Sequence, residues 1–259
     1  MPRRRRRRNG AAIWRGAILA MVSGTIALFA TAAFMQPPAL DEATGCRLDR
    51  KDPAHTVLLI DQSDPFAEND LGWVADLLEA EARALPRHGR LTVIVPDAAR
   101  PHEPDVRFSA CTPGSAANAN PVFQNPAMIE AAWTNDFHAP LKTMVTAVLR
   151  DKSAPESPLM ESLYAVADRA DFQPARKNRR IVIVSDLMQH SADFSFYRSG
   201  ADWGAFGTAS LSAKLPSMDG VTVAARVVPR QEYDLPLGEV KAFWRNWFAE
   251  AGAEFGSVN

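Results

Sequence analysis

The 259-residue chain has only two cysteines, Cys46 and Cys111, and no acidic residue before Asp41. Two lone cysteines do not make a structural zinc site, and no His-Glu-x-x-His pair is present in their place. A Gly-x-Ser-x-Gly nucleophile turn and a glycine-rich phosphate-binding loop are missing too, which removes the commonest hydrolase and nucleotide-binding signatures. No internal repeat occurs, and the one low-complexity tract is a run of arginines.

That run makes the overall charge misleading. Arg3 to Arg8 and Arg15 hold seven of the 29 basic residues, leaving 22 against 30 acidic ones from Asp41 onward, so a formal charge of −1 conceals a domain near −8. A domain of this sign repels phosphate backbones, so no nucleic-acid partner is expected. The arginines lead into residues 16–35 (GAILAMVSGTIALFATAAFM), which carry no charge. About 20 helical residues, at a rise of about 1.5 Å each, cross a hydrocarbon layer of about 30 Å. A single-pass anchor at 16–35 is therefore expected. Residues 1–15 would stay cytoplasmic, and the rest would be extracytoplasmic, periplasmic in a Gram-negative cell. The alternative is export followed by signal cleavage near Ala32, because Ala30-Thr31-Ala32 offers small residues at a suitable spacing. In an oxidising compartment Cys46 and Cys111 can pair, the competing reading being two separate buried thiols.

Residues 36–53 (QPPALDEATGCRLDRKDP) are polar and proline-containing, and are expected to link membrane to domain. Residues 54–259 then alternate short apolar runs with helical patterns. Buried strands are expected at 55–60, 90–95, 180–184 and 220–228, with a short edge strand at 106–111. Helices are expected at 70–85 behind an Asn69 cap, at 126–133 resuming through Pro140 to 149, at 158–170 behind a Ser157 cap, and at 237–251. Val240, Phe243, Trp244, Trp247 and Phe248 should face inward from the last of these. Continuous apolar strands alternating with helices imply an α/β fold, a mainly parallel, doubly wound sheet covered on both faces. Ligands in such sheets collect beyond the carboxyl ends of the strands, where Asp61 and Asp186 both fall.

These positions carry a resemblance. The chain from His55 to Phe255 resembles the von Willebrand factor A family, which places Asp-x-Ser-x-Ser after its first strand, a Thr at the start of a later helix and an Asp after its fourth strand. Asp61 and Ser63 match the first two positions, Ser157 falls near the Thr, and Asp186 matches the last acid. Pro65 stands in place of the second Ser and offers no side-chain oxygen. The resemblance implies a metal-ion-dependent adhesion site, here degenerate, in which Asp61, Ser63, Ser157 and Asp186 would hold Mg2+ or Mn2+ directly or through water. Without metal, Asp61 and Asp186 would instead tie loops together and cap helices. Asp64 is an extra carboxylate in the same loop, one position early. His190, Asp136 and His138 are expected to be surface or hydrogen-bonded loop residues. Phe194, Phe196, Tyr197 and Trp203 are expected to pack beneath the site or to form a patch beside it.

The function so implied is non-catalytic. The chain would be a membrane-anchored extracytoplasmic module that binds an unidentified protein partner through a weak cation site, or a structural subunit of an envelope complex without metal. The oligomeric state is not legible. A haloacid-dehalogenase-like phosphatase would need a second Asp where Ser63 stands, and a basic group after a strand, whereas Arg176 to Arg180 precede theirs.

Overall fold

The computed structural model describes residues 6–34, 38–63, 65–120, 124–150, 154–174, 178–228 and 235–258. It comprises two units, an N-terminal helix and a domain that begins at Leu40. The helix, α1 (Arg6–Phe34), contains at Ala12–Ala32 a 21-residue stretch long and apolar enough to cross a membrane. Arg3 to Arg5 lie outside the described residues.

In the domain, alternation along each central strand sends successive apolar side chains to opposite faces. From β1 (His55–Ile60), Val57 and Leu59 enter one core while Leu58 and Ile60 enter the other. The sheet is completed by β2 (Arg90–Val95), β3 (Asp105–Cys111), β4 (Arg179–Ser185), β5 (Val221–Val227) and β6 (Glu254–Val258), in the order β3-β2-β1-β4-β5-β6. All neighbours run parallel except β3, which pairs antiparallel with β2 at one edge. The fold is thus the expected doubly wound α/β sheet. The strand β6 was not foreseen, because a five-residue segment containing Gly256 carries little apolar signal.

One face is covered by α2 (Glu68–Ala84) and by the continuous helical run of α3 (Pro126–Ala132), a wider π segment (Trp133–His138) and α4 (Ala139–Arg150). The other is covered by α5 (Leu159–Asp168) and α8 (Leu237–Glu250). Two short helices, α6 (Phe196–Ser199) and α7 (Trp203–Phe206), contribute Phe196 and Phe206 to the same core. All five inward residues expected on the last helix are buried there.

Three boundaries differ from expectation. The α2 helix starts at Glu68, with Ala67 rather than Asn69 at the cap; the Asp70 carboxylate accepts from the Ala67 N–H at 3.2 Å. The interruption near Asp136 is a π turn within a continuous helix. Pro140 has no N–H and its ring crowds the preceding turn, which the wider turn relieves. The α5 helix starts at Leu159 with Pro158, not Ser157, at the cap and ends at Asp168, since the Ser157 hydroxyl is engaged elsewhere.

The stretch 36–53 is folded from Leu40 onward. Leu40 pairs with Arg47 in an antiparallel bridge, and the Asp41 carboxylate accepts from the Thr44 N–H and hydroxyl at 2.8 and 2.7 Å. A Cys46–Cys111 disulfide fastens this turn to β3, as does the Cys111 N–H donated to Thr44 O at 2.8 Å.

Candidate functional site

β1 and β4 lie side by side and in register from His55↔Arg179 to Ile60↔Val184. Later strands add on one side of β1 and earlier ones on the other, so the winding reverses between these two strands. In open α/β sheets the loops part at such a point, leaving a crevice at the carboxyl edge. Asp61 and Asp186 leave the sheet here, and the Asp61 N–H still donates to Val184 O at 2.9 Å.

The Asp61 carboxylate is the hub. Its Oδ2 accepts from the hydroxyls of Ser185 (2.7 Å) and Ser157 (2.8 Å), and its Oδ1 from the Ser63 N–H (3.0 Å). Ser185 Oγ in turn lies 3.5 Å from Asp186 Oδ1 and accepts from the Leu187 N–H, while Asp186 Oδ1 accepts from the Met188 N–H. The four residues singled out from sequence thus fall into one hydrogen-bonded group. Asp64 lies outside the described residues. Burial of Asp61 raises its pKa by desolvation, against the lowering effect of the Ser185, Ser63 and Ser157 bonds.

Two residues not singled out from sequence complete the arrangement. Ser185 joins the two carboxylates; its signal was its position just before Asp186. Gln189 is fully buried, and no pattern in the sequence marks it. Its Oε1 accepts the Met160 N–H, serving the first turn of α5, and its Nε2 donates to Glu161 Oε2 (3.0 Å) and to Ser191 Oγ (3.2 Å). The backbone adds a reciprocal pair between Ser157 and His190, both bonds 2.9 Å. Leu187 takes a left-handed φ of 68°, a conformation costly for a branched side chain, and its carbonyl accepts from Trp244 Nε1 at 2.9 Å. The loop after β4 is therefore held from both sides, by α5 and by α8.

No family profile matches the chain, and no curated protein does. Among solved structures, it is similar to a conserved hypothetical protein, BatB, from Bacteroides thetaiotaomicron. The identity is 10%, the TM-score 0.37, and the match covers 80% of this chain and 91% of that one.

Above the hub lies a depression of about 240 Å³ lined by Ser63, Ala154, Pro155, Ser157, Met188, His190 and Tyr197. Tyr197 is 61% exposed, and its ring meets His190 edge-on at 5.2 Å. Its sequence neighbours Phe194 and Phe196 are buried against Phe243, and Trp203 packs there too. His190 Nδ1 bonds Ser195 Oγ at 2.9 Å, but Ser195 is fully buried and presents no nucleophile to the depression. His190 is thus a hydrogen-bonded loop residue. His138 stacks on Trp133, remote from the site.

A magnesium or manganese ion needs about six oxygens, one or two of them carboxylate. Both carboxylates here are 3% exposed and neither lines the depression, whose side chains are two serines, one imidazole and the Tyr197 phenol beside Ala154, Pro155 and Met188. Among the described residues no group of three His, Cys, Asp or Glu side chains converges. These donors, as placed, do not fit a resident divalent ion.

Proposed function

We propose that the chain is a membrane-anchored interaction module of von Willebrand A-like type, whose extracytoplasmic domain docks a protein partner at the carboxyl edge of its sheet without a bridging cation. One observation carries this reading. The Ser157 hydroxyl, which a cation-dependent site would turn outward, is instead directed inward onto Asp61, where the Ser185 hydroxyl and the Ser63 N–H also converge. The result is a rim of three loops locked from below, with Tyr197 exposed on top. A rigid aromatic beside a shallow, mostly uncharged depression is the usual composition of an interface anchor.

The anchor, rather than a cleaved signal, is favoured by the 21-residue apolar stretch, long for a signal core and preceded by arginines. Catalysis is not proposed. For a phosphatase of the strand–Asp type, Arg179 and Arg180 begin β4 at the edge of the sheet opposite Asp61, out of reach of a phosphate held there.

The test is crosslinking of the full chain in native membranes, with and without ethylenediaminetetraacetate, and with Tyr197→Ala. Capture of the same protein with chelator present, and its loss in the variant, is the expected result. Chelator-sensitive capture would return the cation to the site, and capture indifferent to Tyr197 would move the interface elsewhere. Mass measurement of the mature N-terminus separates anchor from signal.

A further inference from the structure

Between α2 and α4, on the face of the sheet that buries Trp133 and Phe137, runs an open groove of about 340 Å³. Its floor is formed by Leu78, Leu141, Val145 and Leu149, all buried, so it is a slot between two helices rather than a gap in the core. One stripe of each helix makes its walls. Gly72, Ala75, Asp76 and Glu79 recur at the three- and four-residue spacing of a single helix face, and Lys142, Thr146 and Arg150 do so opposite them. None of these residues lines the depression at the carboxyl edge.

Two features of the walls serve nothing inside the domain. Gly72 lies within α2, where glycine costs stability relative to alanine. Its backbone is not left-handed, and a Cβ added there would meet nothing within 4 Å. What glycine provides here, with Ala75 one turn on, is a low rim over which another helix can approach closely.

The second feature is charge. Along α2 there are five acids, Glu68, Asp70, Asp76, Glu79 and Glu81, and one base, Arg83; α4 has Lys142 and Arg150 and no acid. Glu79 is committed to Arg83 and His138, and Glu81 to Arg180. Asp76, Lys142 and Arg150 are exposed and make no ion pair among the described residues. His138 Nε2, 3.4 Å from Glu79 Oε2, fixes the level of the two helices. One turn along from that contact, Asp76 and Lys142 stand level on opposite walls of the groove.

An acidic wall level with a basic one is complementary to itself. A two-fold axis running along the groove lays the α2 wall of one molecule on the α4 wall of another. Each Asp76 then meets a Lys142, the contact is made twice, and the apolar floors are closed from water. A foreign helix would need opposite charges on its two flanks, whereas a second copy has them already. We infer that the α2–α4 groove is the interface through which two copies of this chain form a two-fold dimer.

Two differently tagged copies of the full chain, co-expressed and extracted in mild detergent, test it. Native copies should co-purify. Asp76→Lys in both copies should lower recovery about tenfold, the scale of a like-charge contact at an interface, and Lys142→Asp in both should do the same. One copy of each variant restores both ion pairs and should restore recovery. Gly72→Trp fills the groove from a position with room for a side chain, and should abolish recovery while the midpoint of unfolding is kept. Native copies that never co-purify overturn the inference. Recovery that survives both Asp76→Lys and Gly72→Trp also overturns it, placing association elsewhere in the chain. A loss that the mixed variants do not repair overturns the second copy as occupant and leaves the groove to another protein.

Discussion

Acidification below pH 6.5 should destabilise the domain through His55. Its ring is fully buried on β1, meets Phe172 edge-on, and is bonded at both nitrogens. Nδ1 lies 2.8 Å from Asp171 O, a carbonyl that can only accept, so Nδ1 carries the proton. Nε2 then accepts from the Thr92 hydroxyl at 2.8 Å, and the ring is neutral. Desolvation holds the pKa down to about 4 from 6.5, outweighing the favourable carbonyl and carboxylate of Asp171. The unfolded chain takes up a proton at this residue as pH falls below 6.5, while the folded chain refuses it until about 4. Stability is therefore complete above that window and falls across it, by about 3 kcal/mol in all. Urea unfolding of the full chain in detergent, from pH 8 to pH 4, reads this loss directly. His55→Gln removes the titration. It should be less stable than the native chain at pH 8, through poorer packing, yet lose about 3 kcal/mol less on acidification. A native chain and variant whose stabilities fall in parallel would refute the assignment of a neutral, proton-refusing His55.

Other outcomes follow from the same contacts. Asp61→Ala orphans the buried hydroxyls of Ser157 and Ser185 and should cost about 2–4 kcal/mol in chemical unfolding. Asp61→Asn keeps one acceptor and sheds a carboxylate that burial already disfavours, so it should cost less; equal losses would show that the hub does not hold the loops. Replacing Cys46 and Cys111 by Ser opens a closure of 65 residues and should cost about 4 kcal/mol, read as a lower midpoint of unfolding. Magnesium or manganese at millimolar concentration should leave the midpoint unchanged. A rise that Asp186→Asn removes would overturn the cation-independent reading.

Much of this arrangement was legible in the sequence. Unbroken apolar strands ending in Asp61 and Asp186, with helical patterns between them, suffice for a parallel sheet with both acids at one edge, because alternation along a strand and periodicity along a helix are local properties. Asp61 and Asp186 were placed for the same reason, each directly following an apolar strand, whereas Ser63 and Ser157 were singled out only by the resemblance in motif. What escaped was the direction each group faces. Ser157 reads equally well as a helix cap, a metal ligand or a partner for a carboxylate, Ser185 is marked only by its place before Asp186, and Gln189 carries no local pattern at all.

Composition and periodicity alone settled that an apolar helix of membrane-crossing length precedes a two-faced α/β domain, because those features depend on neighbours in the chain. Only the tertiary structure decided that the serines spend their hydroxyls on Asp61, that the cysteines join, and that a groove opens between α2 and α4. Such outcomes depend on which groups meet across as many as 124 positions of sequence, and on what burial does to the charge of each.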